Sequence, residues 1–359
     1  MLSNLERVLF IVLVIFSSGL SFITYSRMFK AIGRGTQAIN WIEVVKNWPK
    51  GLSIFLSQKT LFKSRTFVAV IHAGVAWGFS FYLIVNIVDV FYGMVPDFHF
   101  LPNHFIGHAY RLFVDIFTML VLFGVLYFLA RRFLTKSEKL KINEPVLISE
   151  RAKKGISLDS ILVGTFIIFH VGFRFIGASA EIALNGNDWY QPGATVLATL
   201  WSGLEQENIV FLEHLSWWLS LGLIMAFFPY FPYSKHAHLF MGPLNYMASV
   251  DRRSPATLEI MDLEDESVEQ FGAGKIEHLP QKEILDAYAC IMCNRCQDVC
   301  PAYQTGKELS PAALEINKRY YLNDNLKDFS EGSSSLESLS KWMLSEEAAW
   351  SCTTCGFCV

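Results

Sequence analysis

Apolar residues are gathered into five long blocks, approximately 5–27, 66–91, 108–130, 157–183 and 209–231. Each is long enough for a helix across a bilayer, which takes about 20 residues. The first has no charge from Val8 to Tyr25 and no small-residue cleavage pattern after it, so a retained helix is expected rather than a cleaved signal peptide. A sixth apolar stretch, 193–204, is too short to span and is expected to lie at the interface or re-enter. Beyond about 233 the pattern changes. Residues 251–283 are charged and contain Gly, with Asp262, Glu264, Asp265 and Glu266 close together, and read as a solvated connector. A short helix is expected from Gln281, and 310–350 reads as helical with a break at 332–335. The expected organisation is an all-α membrane protein: a five-helix transmembrane domain over 1–250, a linker over 251–280 and a helical module over 281–359.

Charge orients these helices. Residues 27–65 hold eight Lys/Arg and residues 131–154 hold another eight, whereas 92–107 and 184–207 hold none. The positive-inside rule therefore places the N-terminus outside and, after five crossings, the C-terminal part in the cytoplasm of a cell (inner) membrane. The basic clusters are accounted for by topology, so nothing points to nucleic acid. Interfacial belts account for most of the border aromatics, such as Trp77, Tyr92, Trp189, Trp201, Tyr230 and Tyr233.

Composition agrees with the membrane reading, because 52% hydrophobic residues is too apolar for an ordinary globular chain. Cysteine usage adds chemistry. All seven cysteines lie between 290 and 359, an odd number at short gaps, which is a poor disulfide framework and a good metal-binding one. Cys290, Cys293, Cys296 and Cys300, followed by Pro301, have the spacing C-x2-C-x2-C-x3-C-P of two-cluster ferredoxins. Cys352, Cys355 and Cys358 repeat the two-residue gaps. Crossed ligation then gives one [4Fe-4S] cluster to Cys352, Cys355, Cys358 and Cys300. The other goes to Cys290, Cys293, Cys296 and a fourth cysteine expected about four positions past Cys358. Because the sequence stops at Val359, a chain truncated inside its second motif is expected. Pairs of C-x2-C also bind zinc, but two triplets with a terminal Cys-Pro fit zinc poorly.

Histidines within apolar spans are functional candidates, since imidazole is costly in hydrocarbon. His72, His236 and His238 fall at cytoplasmic helix ends, His108 and His214 near outer ends, and His170 mid-span. Two histidines at one depth on different helices are what bis-imidazole haem ligation requires. The inner level offers His72 with His238, and the outer level His108 with His214. For the outer pair and His170, a core hydrogen bond or proton relay is an equal alternative. His99, His104 and His278 read as surface residues. Arg174 and Glu181, seven apart on the fourth helix, are expected on one side, for a haem propionate, quinone or proton chemistry, or a plain ion pair. Arg111 and Asp115 read as a similar pair.

The run Pro232-Tyr-Ser-Lys-His-Ala-His238-Leu-Phe-Met-Gly-Pro243, with Arg65, His72, Gly78 and Phe79, resembles the cytochrome b (gamma) subunit of respiratory nitrate reductase and its heterodisulfide reductase-type relatives. The resemblance implies inner-haem ligation by His72 and His238. Where that family draws an outer-haem histidine, eighteen residues before the inner one, this chain has Ser220; ten residues after His72, where some relatives have histidine, it has Tyr82. The stretch Leu285-Asp-Ala-Tyr with Cys300-Pro-Ala-Tyr-Gln-Thr-Gly-Lys-Glu-Leu-Ser-Pro311 resembles heterodisulfide reductase-related iron–sulfur subunits. It is especially similar to membrane electron-transfer-flavoprotein:menaquinone oxidoreductases, in which cysteine-rich CCG domains follow.

What the resemblance implies is an oxidoreductase that takes electrons from a cytoplasmic donor, electron-transfer flavoprotein or similar, to a membrane quinone. Its cofactors would be two [4Fe-4S] clusters and one or two haems b. Two alternatives stay open. One is a quinol-oxidising subunit serving a disulfide- or sulfite-reducing partner, and the other is a haem-free membrane anchor.

Overall fold

The computed structural model describes residues 2–96, 98, 100–101, 103–249, 262–266, 270–335, 337–356 and 358. His99 and most of the 251–269 connector lie outside them. Among the described residues the regular structure is helical apart from one isolated bridge between Thr36 and Pro280. The main helices are α1 (Asn4–Gly33), α2 (Thr66–Met94), α3 (Phe105–Leu129), α4 (Glu150–Asn185), α5 (Pro192–Ala198), α6 (Gln206–Trp217), α7 (His238–Met247), α8 (Gln281–Ala289) and α9 (Pro311–Asp324).

Five helices are long and apolar enough to cross a membrane: α1, α2, α3 continued through a π turn to Leu134, α4, and α6 continued to Phe227. Much of their apolar surface stays uncovered, with Ile15 68% and Phe22 75% exposed. Patches of that extent on a soluble protein would drive association, whereas lipid accommodates them. The five blocks expected from the sequence are therefore helices, with shifted ends. At about 1.5 Å per residue, the 36-residue α4 extends to about 54 Å, well beyond a hydrocarbon core of ~30 Å. It begins at Glu150 because Ser149 caps it, its Oγ accepting from Ala152 N at 3.1 Å. The fifth span ends at Phe227 because Pro229 and Pro232 cannot continue the backbone ladder.

Contacts divide the chain into two compact units that do not follow chain order. The first takes residues 1–21, 58–134 and 161–230. Here α2 and α3 pack closely because Gly78 and Gly124 face them. A Cβ at those positions would stand 2.6 Å from Val121 and 2.3 Å from Val75. Tyr82, Val121, Val125, Val163, Phe166, Ile167 and Val171 form its core.

The second unit takes residues 22–57, 135–160 and 231–359. Its largest core joins Met28 and Ile32 of α1, Met241 of α7, Ile284, Leu285 and Tyr288 of α8, Leu322 of α9, and Phe329 and Trp342. Thr36 pairs with the start of α8, donating to Leu279 O at 2.9 Å and accepting from Gln281 N at 2.8 Å. Gly155 meets the Tyr320 ring, which a Cβ would approach to 2.3 Å.

Candidate functional site

The first cysteine loop follows α8. Its first cysteine, Cys290, has extended backbone geometry, while Met292 (φ 57°) and Asn294 (φ 59°) are left-handed. The second loop follows the short helix Glu346–Trp350, and there Thr354 (φ 50°) and Gly356 (φ 70°) are left-handed. In both loops these are the second and fourth residues after the leading cysteine. In both, the second residue's N–H donates to that cysteine's sulfur at 3.4 Å, Met292 to Cys290 and Thr354 to Cys352. Two segments sixty-two residues apart thus repeat one backbone conformation. Successive left-handed turns aim N–H groups inward, forming a concavity suited to an anionic group.

The thiols sort into two sets by mutual electrostatic influence. Cys293 helps raise the Cys290 thiol, Cys290 and Cys293 with Cys358 help raise that of Cys296, and Cys300, Cys352 and Cys355 help raise that of Cys358. Burial pushes the Cys290 thiol up to about 12 and raises those of Cys296 and Cys358. Thiolates in such surroundings need a bound cation, which iron supplies. Cys300 is buried among Val146, Ala302, Tyr303, Leu309, Ala313 and Ala348, and precedes a helix opened by Pro301. Among the described residues no three of these donors converge on a single-ion site. The C-x2-C-x2-C-x3-C-P spacing of Cys290 to Pro301 fits a cubane cluster better than a lone zinc.

A polar frame fixes the first loop. Gln297 Nε2 donates to Lys141 O at 2.8 Å, and Asn294 Nδ2 to Leu140 O at 3.1 Å. Ser310 Oγ donates to Gln297 Oε1 at 2.9 Å. Arg319, fully buried on α9, donates to Cys290 O at 2.9 Å and to Ala287 O and Tyr288 O at 3.3 Å. It also donates to Ser234 O. Sequence patterning did not single out Arg319, since an arginine on a polar helix reads as solvated. Glu315 and Lys318 pair at 2.9 Å on the same helix, and burial lifts the Glu315 carboxyl to about 7.

The histidines separate between the units. His238, half-buried at the start of α7, donates from Nδ1 to Lys235 O at 2.7 Å, which fixes the tautomer of its ring. Neighbouring His236 is buried, and that burial with the adjacent His238 and Lys235 charges holds its imidazole neutral, its pKa lowered to about 3. His72 belongs to the first unit, edge-on to Phe128 at 6.3 Å.

The outer-level histidines have other partners. His108 stacks on Tyr190 with centroids 3.9 Å apart, and His214 Nδ1 lies 3.3 Å from Glu6 Oε1. His170 is buried against Ser220. His104 caps α3, and His278 Nδ1 accepts from Gly274 N.

Two ion pairs that the spacing along the helices allowed are made with other partners. Arg174 pairs with Asp89 of α2 at 3.1 Å, not with Glu181 on its own helix. Arg111 pairs with Asp188 at 2.8 Å, while Asp115 accepts from Gly193 N and Ala194 N at 2.7 and 3.0 Å, capping α5. In both cases a partner on another segment offers better geometry than the neighbour along the helix.

The family model of a 4Fe-4S dicluster domain matches residues 286–359, which hold all seven cysteines. The chain is 30% identical over 347 residues to a probable iron-sulfur-binding oxidoreductase, FadF, of Bacillus subtilis (strain 168), covering 84% of this chain and 45% of that protein. It is 25% identical over 316 residues to the EtfAB:quinone oxidoreductase of Syntrophomonas wolfei subsp. wolfei, covering 80% of this chain and 42% of that protein. The chain thus spans less than half the length of these curated relatives. No solved structure matches it. Coverage of four-fifths of the chain requires that the likeness extend into the long apolar helices. The chain combines five helices able to cross a membrane with a 4Fe-4S dicluster domain, and is similar along most of its length to iron–sulfur oxidoreductases.

Proposed function

We propose that this protein is a membrane-bound oxidoreductase that takes electrons from a soluble electron-transfer flavoprotein and delivers them to menaquinone or another membrane quinone. The observation that carries the reading is the duplicated cysteine loop, with the same left-handed positions and the same N–H to sulfur contact, in a chain with five apolar spans. One relative is named an EtfAB:quinone oxidoreductase, which supports this donor and acceptor. In the overall reaction a reduced flavin loses two electrons, and the quinone gains two electrons and two protons.

Cys300, Cys352, Cys355 and Cys358 are the proposed ligands of one [4Fe-4S] cluster, and Cys290, Cys293 and Cys296 of the other. His238 and His72 are the proposed ligands of a haem b. These cofactors supply one-electron transfer between a two-electron donor and a two-electron acceptor. The chain's own residues hold and tune them. Asn294, Gln297 and Ser310 fix the first loop, and Lys235 O orients the His238 ring. We place residues 1–250 in the membrane, 251–280 as a connector and 281–359 in the cytoplasm, on the side given by the basic loops.

The test is anaerobic purification in detergent with iron, sulfide and haem quantification, a reduced-minus-oxidised spectrum, and electron transfer from reduced flavoprotein to a short-chain menaquinone. Eight irons, b-type bands and turnover are expected of this reading; a preparation without cubane iron overturns it. A preparation with clusters and no b-type bands removes the haem alone.

A further inference from the structure

We propose that Arg319 is a buried cation that favours the reduced state of the cluster held by Cys290, Cys293 and Cys296, and that ties this loop to the segment presenting His238. The proposal rests on the cluster assignment above. Arg319 has 0% exposure, and among the described residues it donates to main-chain carbonyls: Ala287, Tyr288, Cys290 and Ser234. Its Nε is buried with no hydrogen-bond partner among the described residues. The nearest acid along α9, Glu315, is engaged by Lys318 instead.

A buried guanidinium without a carboxylate is costly. The carbonyls of Ala287 and Tyr288 close the C-terminal turn of α8, where the helix dipole is negative, and offset part of that cost. They leave the charge uncompensated. A cubane with thiolate ligands is anionic and becomes more so on accepting an electron. A fixed positive charge one carbonyl away from Cys290 therefore stabilises the reduced form more than the oxidised form. The same group reaches two segments far apart in sequence. Ser234 is the N-cap of the turn Lys235–Ala237, whose first carbonyl orients His238, and Cys290 opens the cluster loop. One side chain thereby holds the ends of two redox-bearing segments within a single unit. A plain structural cap would need the hydrogen-bond fork but not the charge, and substitution separates these roles.

The experiment is an EPR-monitored potentiometric titration of the full chain in detergent, comparing wild type, Arg319→Gln and Arg319→Lys, with Cys296→Ser identifying the first cluster's signal. Arg319→Gln keeps donors but loses the charge. Its first cluster is expected to become at least tenfold harder to reduce, a shift of about 59 mV for one electron, with the second cluster unmoved. Arg319→Lys keeps the charge and is expected to stay within threefold of wild type. Unchanged potentials in a cluster-loaded Arg319→Gln variant, or an equal fall in Arg319→Lys, overturn the role of the charge while leaving the proposed function standing. If the glutamine variant does not fold, the lysine variant decides alone: a retained potential supports the proposal and a tenfold fall refutes it. Wild type devoid of cubane signals would sink both.

Discussion

His170 Nδ1 lies 3.2 Å from both the carbonyl oxygen and the hydroxyl of Ser220, joining α4 to the π turn Trp218–Gly222 that continues α6. Tyr82 meets the same imidazole edge-on at 5.9 Å, and its hydroxyl bonds Thr118. The resemblance to the cytochrome b family implies a further histidine at the position of Ser220 and, in some relatives, at that of Tyr82. Here both converge on His170 within a buried core that also includes Val121 and Phe166. We propose that His170 is a structural group of this packed, hydrogen-bonded core. His170→Ala should keep the wild-type haem content while losing about 1–3 kcal/mol of stability, from the orphaned Ser220 and the lost packing. Pyridine haemochrome assay and denaturant unfolding in detergent check the two halves separately; a halved haem content would refute it.

His238 is the opposite case. Its Nδ1 is fixed by Lys235 O, which sets the tautomer and aims Nε2. His238→Ala is expected to abolish haem binding, with the iron and sulfide of the clusters retained. The haem-to-protein ratio is the measurement, and an unchanged ratio would refute the ligand assignment.

The contrast shows what was legible in the sequence. Cysteine spacing is local, so Cys290, Cys293 and Cys296, with their counterparts at Cys352, Cys355 and Cys358, were visible without any fold. Apolar block length likewise fixed the existence of the spans, while their ends depended on Ser149 and Pro229, whose influence is one residue wide. Partners across helices were hidden. Nothing in the spacing of Arg174 reveals that Asp89, eighty-five residues away, lies 3.1 Å from it. The rotation of two helices about their axes decides that, and sequence periodicity does not encode it. Arg319 was invisible for the same reason, because its burial comes from segments distant along the chain.

Gly356 and Asn294 occupy the same left-handed station in the two cysteine loops. A Cβ at Gly356 would meet nothing within 4 Å, so any penalty of substitution is conformational. Gly356→Val should cost more than about 1 kcal/mol, because a β-branched residue resists positive φ. It should lower the occupancy of the second cluster, while Asn294→Gly leaves the first filled. Iron content with EPR of each cluster tests this. Equal iron loss in both variants would mean that the left-handed geometry is not what limits assembly.

Glu277 accepts from Ser335 N at 3.0 Å and Ser335 Oγ at 2.6 Å, and these bonds hold its carboxyl below the ordinary 4.5 despite partial burial. A depressed folded-state value means stability that is fully present above pH 4.5 and lost as pH falls toward the folded-state value. Glu277→Gln should therefore be less stable than wild type at pH 7, and the gap should narrow below pH 4.5. The difference between the two proteins is the quantity to follow, since acid attack on iron–sulfur clusters affects both alike. A gap constant from pH 7 to pH 3.5 would exclude the linkage.

Asp89 and Arg174 form an ion pair between α2 and α4, with side chains only 18% and 15% exposed, inside the span-forming parts of both helices. Trp217 Nε1 also donates to Asp89 O at 3.0 Å, so α6 meets the same point. Removing one partner leaves the other charge without compensation in a low-dielectric setting. Asp89→Asn should accordingly destabilise the bundle by about 3–5 kcal/mol. Replacing both, Asp89→Leu with Arg174→Met, should recover most of that loss, because the pair's attraction is set against the desolvation of two ions. Unfolding of wild type, Asp89→Leu, Arg174→Met and the double variant in detergent gives the coupling energy directly. If the double variant shows a deficit as deep as the sum of the single ones, the pair is not acting as mutual compensation, and Arg174 must draw its stabilisation from another group.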